Sequence, residues 1–390
     1  MRDLGILSKV QGALNSSEYG ALVIVGADNV QYLTGAPLPF APYRPGQYAL
    51  VSWPKADGPA CICPSEWEAT IRNRGWVSDV RPYPTAGDSP LPAVHLVAQH
   101  LANLVREGAT VGLDMARATP AFASALQSAL PGLRLVACDR WLADLRMVKT
   151  PAELALLEEI ADKTDHGING AIHHVVVERF KTQLTLAEDI RVHCLERGLE
   201  LRGYGGAAQV ACGEAAASFW PLAPKYGFSG TEPLEQGAAV RMSMRGYLAG
   251  YWSDVCRMMV MGPQSDAQAA AYGQLVALRE AIVARLKPGV RCSQVFDEVA
   301  TEAKRAGIDF VTELGLGHGI GASLCEPPYL NASDDTALAS GMVLVLDPAV
   351  CGPDREIMRS KDTVVITETG CRIIGWYRDW REPYIPIQAI

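Results

Sequence analysis

The chain has 390 residues, 49% hydrophobic and 20% charged, with a formal net charge of −8. That is ample apolar material for two domains. The acidity, with no Lys/Arg cluster interleaved with aromatics, argues against a nucleic-acid partner. No apolar run reaches the roughly 18 residues of a membrane span.

The first twenty residues carry charges and no long apolar stretch, so they read as an amphipathic helix and not as an export signal. "GALVIVG" (20–26) reads as a buried strand and "NVQYLTG" (29–35) as a turn and short segment. "YALVSW" (48–53) and "PACICP" (59–64) read as strands, "AVHLVAQHLANLV" (93–105) as a helix. A strand "TVGLD" (110–114), a helix "PAFASALQSAL" (120–130) and a strand "LRLVAC" (133–138) follow. Strands alternating with helices predict an α/β domain over residues 1–146.

Past residue 146 the pattern changes. "TPAELALLEEIADKTDHGINGAIHHVV" (150–176) predicts a long helix: Thr150 is its N-cap, Pro151 takes the first helical position and Glu153 completes a capping box. Three further helices and the strands "AAQVAC", "AAVRMSMRGYLAGYWSDVCRMMVMG", "GMVLVLDPAV" and "DTVVITETG" make residues 147–390 an α+β domain, with helices over an antiparallel sheet. The ten cysteines have neither paired zinc spacing nor the look of a disulfide framework, which predicts reduced thiols in a cytoplasmic protein.

Side chains suited to chemistry gather in this second part. Asp254 lies in "GYWSDVCR", His318 in "LGLGHGIGASLCEPP", Asp347 at the end of "VLVLDP" and Lys361 at the entrance of the last of those strands. The glycines around His318 would let backbone pass close to a ligand. Singly, each residue has an ordinary reading: a structural histidine, a strand-end aspartate, a solvated lysine.

Together, "LRMVKTPAELALLEEIADKT", "GHGIGASLCEPP", "GMVLVLDPAV" and "MRSKDTVVITETG" resemble the pita-bread domain of the methionine aminopeptidase, prolidase, aminopeptidase P and creatinase superfamily. "DNVQYLTG" resembles the N-terminal domain of its creatinase and prolidase branch. The resemblance covers nearly the whole chain. It implies a curved antiparallel sheet with two helix pairs outside and a site on the concave face. It also implies a homodimer.

In the peptidases of that superfamily, Asp, Asp, His, Glu and Glu hold two metal ions. Matched place by place, this chain has Ser243, Asp254, His318, Asp347 and Lys361. Two further peptidase histidines correspond to Phe219 and Cys325. A lysine ammonium has three donors and no acceptor, so Lys361 reads as an internal replacement for metal charge, hydrogen-bonded to both Asp254 and Asp347. The expectation is therefore a site with no metal and no cofactor: a creatinase-like hydrolase cleaving a non-peptide C–N bond of a small polar molecule. His318 would be its acid/base, with Asp254, Asp347, Lys361 and Glu326 as the other catalytic groups. Cys325 reads as a small buried thiol, or else as a nucleophile beside His318. Ser243, Phe219, Trp220, Tyr251, Trp252, Cys325 and Arg359 would line the pocket, and Arg44 would reach a neighbouring subunit. Three alternatives stay open: an Xaa-Pro peptidase with one metal on Asp254, His318 and Asp347; a lyase; and a peptide-binding module without turnover.

Overall fold

The structure, a computed structural model, describes residues 3–38, 47–85, 87, 89–177, 181–200, 208–217, 229–312, 315–353, 356–375 and 381–385. Contacts between Cα atoms divide the chain into two compact units, residues 1–146 and 147–390. Among the described residues no helix is long and apolar enough to cross a membrane.

The first unit contains α1 (Ile6–Ser16), β1 (Tyr19–Ile24), α2 (Ala27–Thr34), β2 (Leu50–Pro54), β3 (Ala60–Pro64), α3 (Glu68–Arg74) and β4 (Asp79–Tyr83). It continues through α4 (Leu91–Leu101), β5 (Thr110–Leu113), α5 (Pro120–Ala129), β6 (Arg134–Ala137) and the helix α6 (Asp139–Met147). The six strands form one mixed sheet in the order β4-β3-β2-β1-β5-β6. The segment read as a turn at 29–35 is helical, and the reason is burial. Every residue from Asn29 to Thr34 is buried, so no amphipathic period marks it, and Gly35 closes the helix in the left-handed region. Asp114, at the end of β5, is enclosed beneath this turn and accepts hydrogen bonds from the backbone N–H groups of Val25 (2.8 Å) and Gly26 (2.9 Å).

The second unit opens with α7 (Pro151–Val177) and α8 (Gln183–Glu196). The expected capping box is present: the Thr150 N–H donates to Glu153 Oε2 at 2.8 Å and the Glu153 N–H to Thr150 Oγ1 at 3.1 Å. Next come β7 (Gln209–Cys212), β8 (Ala239–Met244), β9 (Tyr247–Leu248), β10 (Tyr251–Trp252), β11 (Val255–Val260), α9 (Asp266–Val283) and α10 (Cys292–Arg305). The last strands are β12 (Gly317–Gly319), β13 (Glu326–Tyr329), β14 (Val343–Leu346), β15 (Ala349–Cys351), β16 (Ile357–Arg359), β17 (Asp362–Ile366) and β18 (Cys371–Ile374).

Two antiparallel groups make the sheet, β11-β8-β7 and β13-β12-β14-β17-β18. A bridge between Cys256 and Lys361 joins them. Helices α7 and α8 pack as one pair and α9 and α10 as another. The core is built from the apolar faces of α9 and α10 against the buried strands, with Leu275, Ile282, Val295, Val299, Leu344 and Val364 at its centre.

Candidate active site

Strand register brings the candidate residues together. His318 in β12 pairs with Val345, and Leu346 in β14 pairs with Asp362 in β17. Asp347 therefore leaves the end of β14 beside Lys361, which precedes β17. The Lys361 N–H donates to Cys256 O at 3.1 Å, which carries β11, and Asp254 just ahead of it, to the same end of the sheet. Asp254, Asp347 and Lys361 are all buried.

The glycines around His318 serve backbone packing more directly than ligand approach. A Cβ on Gly317 would strike the carbonyl oxygen of Val345, and one on Gly319 those of Pro327 and Glu326. Only glycine lets β12 sit this close to its neighbours.

The Lys361 ammonium lies 2.5 Å from Asp254 Oδ2 and 3.5 Å from Asp347 Oδ2. Its hydrogen bond goes to Asp254. The expected second one, to Asp347, is replaced by a longer ionic contact, because Arg359 already grips that carboxylate through both oxygens, with Nε 2.5 Å from Oδ1. Bidentate guanidinium pairing outcompetes a point charge for a carboxylate. The guanidinium expected at the pocket wall is thus spent on Asp347.

Burial alone would raise the Asp347 pKa. The Lys361 and Arg359 charges override it and bring the value down to about 2. The unfolded value is roughly 3.9, so the pair contributes about 2–3 kcal/mol above that pH, lost as pH falls toward the folded value. Denaturant titrations at pH 5 and pH 3 should show a larger loss for the wild type than for Asp347→Asn. Equal losses would mean that Asp347 is not held this way.

His318 Nδ1 lies 2.9 Å from the Gly319 carbonyl oxygen. A carbonyl only accepts, so Nδ1 carries the proton, and in the neutral ring Nε2 keeps its lone pair.

The other candidates are distributed as follows. Glu326 pairs with Lys149 Nζ at 2.9 Å, both side chains buried, and also accepts from the Ser323 N–H. Ser243 lies opposite Cys256 in the β8–β11 ladder, and the Cys256 thiol donates to the Arg359 carbonyl at 3.4 Å. Cys325 is exposed, not the buried thiol expected. What burial its thiol has raises its pKa against the pull of Lys361, which disfavours a thiolate. The Tyr251 hydroxyl donates to Glu153 Oε1 at 2.9 Å, and Trp252 packs edge-on against Tyr247 at 4.6 Å. Both rings are buried. Phe219, Trp220 and Arg44 lie outside the described residues.

One neighbouring device is absent from the sequence reading. Arg257, in β11, holds Asp165 of α7 through two hydrogen bonds of 3.0 and 2.8 Å. It also pairs with Asp362 at 3.0 Å and donates to the Lys361 carbonyl at 2.7 Å. Arg279 of α9 meets Asp362 at 2.5 Å. The available signal was an arginine inside the apolar strand "VCRMMV", since a buried guanidinium needs a partner.

The ligand places do not fit two divalent ions. Such ions need oxygen and imidazole donors, and the set offers a neutral hydroxyl at 243 and an ammonium at 361. The Asp347 oxygens are held by Arg359. Among the described residues no group of three or more His, Cys, Asp and Glu side chains is arranged to hold a metal ion. A single ion on Asp254, His318 and Asp347 meets the same ammonium.

The chain thus combines a first unit built on a mixed six-stranded sheet with a second built on antiparallel strands flanked by two helix pairs. The model of metallopeptidase family M24 matches residues 155–368, and that of the creatinase/prolidase N-terminal domain matches residues 6–148. The chain belongs to family M24. It is 26% identical over 235 residues to the Xaa-Pro dipeptidase of Pyrococcus furiosus, covering 60% of this chain and 64% of that protein. Among solved structures it is similar to the dipeptidase PepE of Mycobacterium ulcerans, with a TM-score of 0.79, 24% identity and 99% of each chain covered. It is likewise similar to an X-Pro aminopeptidase of Thermotoga maritima, with a TM-score of 0.79 and 17% identity over 96% of this chain and 99% of that one. These relatives are named as peptidases. That overturns the expectation of a hydrolase for a non-peptide C–N bond.

Proposed function

We propose that the chain hydrolyses short peptides of dipeptide size, with His318 as the proton-transfer group. Membership of family M24 and the dipeptidase names of its relatives support the peptide bond as target. The observation that carries the catalytic assignment is the 2.9 Å contact of His318 Nδ1 with the Gly319 carbonyl oxygen, which assigns the proton to Nδ1 and leaves Nε2 as a base. Nε2 takes a proton from water as its oxygen attacks the scissile carbonyl carbon. It returns that proton to the leaving nitrogen as the C–N bond breaks. The Lys361 ammonium holds Asp254 with one N–H, and another can meet the oxygen that becomes negative.

The test is release of amino acids from a panel of Xaa-Pro and other dipeptides. Turnover that disappears in His318→Ala, with a retained thermal midpoint, supports the reading. A second reading, peptide binding without turnover, is favoured by the two carboxylates around Lys361, which temper its power as an electrophile. Saturable dipeptide binding with no product would select it. Neither binding nor product would remove the peptide class altogether.

Two companion proposals follow. The ten cysteines are all unpaired, which supports a reducing compartment such as the cytoplasm. A homodimer rests on the family resemblance, and light scattering on the purified chain reads it directly.

A further inference from the structure

We infer that Lys361 is a built-in counter-ion that closes this member of the family to divalent metal, and that positions 361 and 243 carry the closure. The ammonium stands between the two carboxylates a metal would use, 2.5 Å from one and 3.5 Å from the other. It is enclosed, with its side chain 7% exposed, so an incoming dication must share the space with a buried positive charge. Asp254 Oδ1 is buried and has no hydrogen-bond partner among the described residues. A single oxygen of that kind does not make a coordination site. Ser243, opposite Cys256 in the β8–β11 ladder, supplies a neutral hydroxyl in place of a bridging carboxylate. Arg359 meanwhile neutralises Asp347. The buried carboxylates therefore have their counter-charges from the chain itself, and a metal has neither ligands to complete nor repulsion to relieve.

This inference is independent of the peptide reading, because its readout is metal binding. The full-length protein, before and after EDTA dialysis, is measured by elemental analysis and by thermal unfolding with millimolar Mn²⁺, Co²⁺ or Zn²⁺. The wild type should hold substoichiometric metal and show the same midpoint in every condition. Stoichiometric metal, or a midpoint that climbs with metal concentration, would overturn the inference. The variant carrying Lys361→Glu with Ser243→Asp should bind Mn²⁺ or Co²⁺ stoichiometrically and gain thermal stability as the ion is added. A folded double variant that takes up no metal overturns the assignment to these two positions. Should it not fold, the wild-type titration still decides whether the site is closed.

Discussion

Lys361→Met should lower the thermal midpoint of the second unit by roughly 10 °C, the equivalent of about 3–5 kcal/mol for leaving a buried charge without its partner. The larger share falls on Asp254. Asp347 keeps Arg359 after the change, whereas Lys361 is the only cation paired with Asp254 among the described residues. Methionine retains the apolar length of the lysine stem, so packing loss is small and charge is what the measurement reads. Adding Asp254→Asn to this variant should restore most of the lost stability, since a neutral amide needs no counter-ion. High salt should change little, because buried pairs are weakly screened. An unchanged midpoint in the single variant would show that the ammonium does not hold this centre together. An unrescued double variant would assign the loss to packing.

Arg257→Met is the second substitution with a large expected effect, again about 3–5 kcal/mol. It strands Asp165, whose carboxylate has both oxygens on this guanidinium, while Asp362 keeps Arg279. Burial already raises the Asp165 pKa, and Arg257 is the main force opposing it. Without Arg257 the folded value rises further above the unfolded one. A carboxyl shifted that way stabilises the fold below its unfolded pKa, and that contribution is lost as pH climbs through the folded value. The variant should therefore regain stability as pH falls from neutral toward the unfolded carboxyl range, over which the wild type gains less. Chemical denaturation across that interval checks it. A variant whose deficit stays constant with pH would show that Asp165 is not the stranded charge. Because Arg257 also holds the Lys361 carbonyl, ligand affinity in the folded fraction should fall as well.

Both expectations concern charges whose partners are far away in the chain. Local sequence carried a good deal of this protein. Apolar runs gave most strands, helical spacing gave the long helices, and Thr150 with Glu153 marked the start of α7, because capping and periodicity are decided within a few residues. Side-chain identity at 243 and 361 also stood in the sequence, and with it the chemical fact that neither residue replaces a metal-binding carboxylate. Tertiary structure decided who pairs with whom. Asp254 and Lys361 are 107 residues apart, Lys149 and Glu326 177 apart, and Asp347 meets Arg359 across 12. Those pairings follow from strand register and from which way each side chain leaves the end of its strand, and neither leaves a local signature. The same cause explains α2, whose unbroken run of buried residues from Asn29 to Thr34 erased the period that would have shown a helix. It explains the His318 tautomer too, fixed by a carbonyl whose direction only the folded β12 determines.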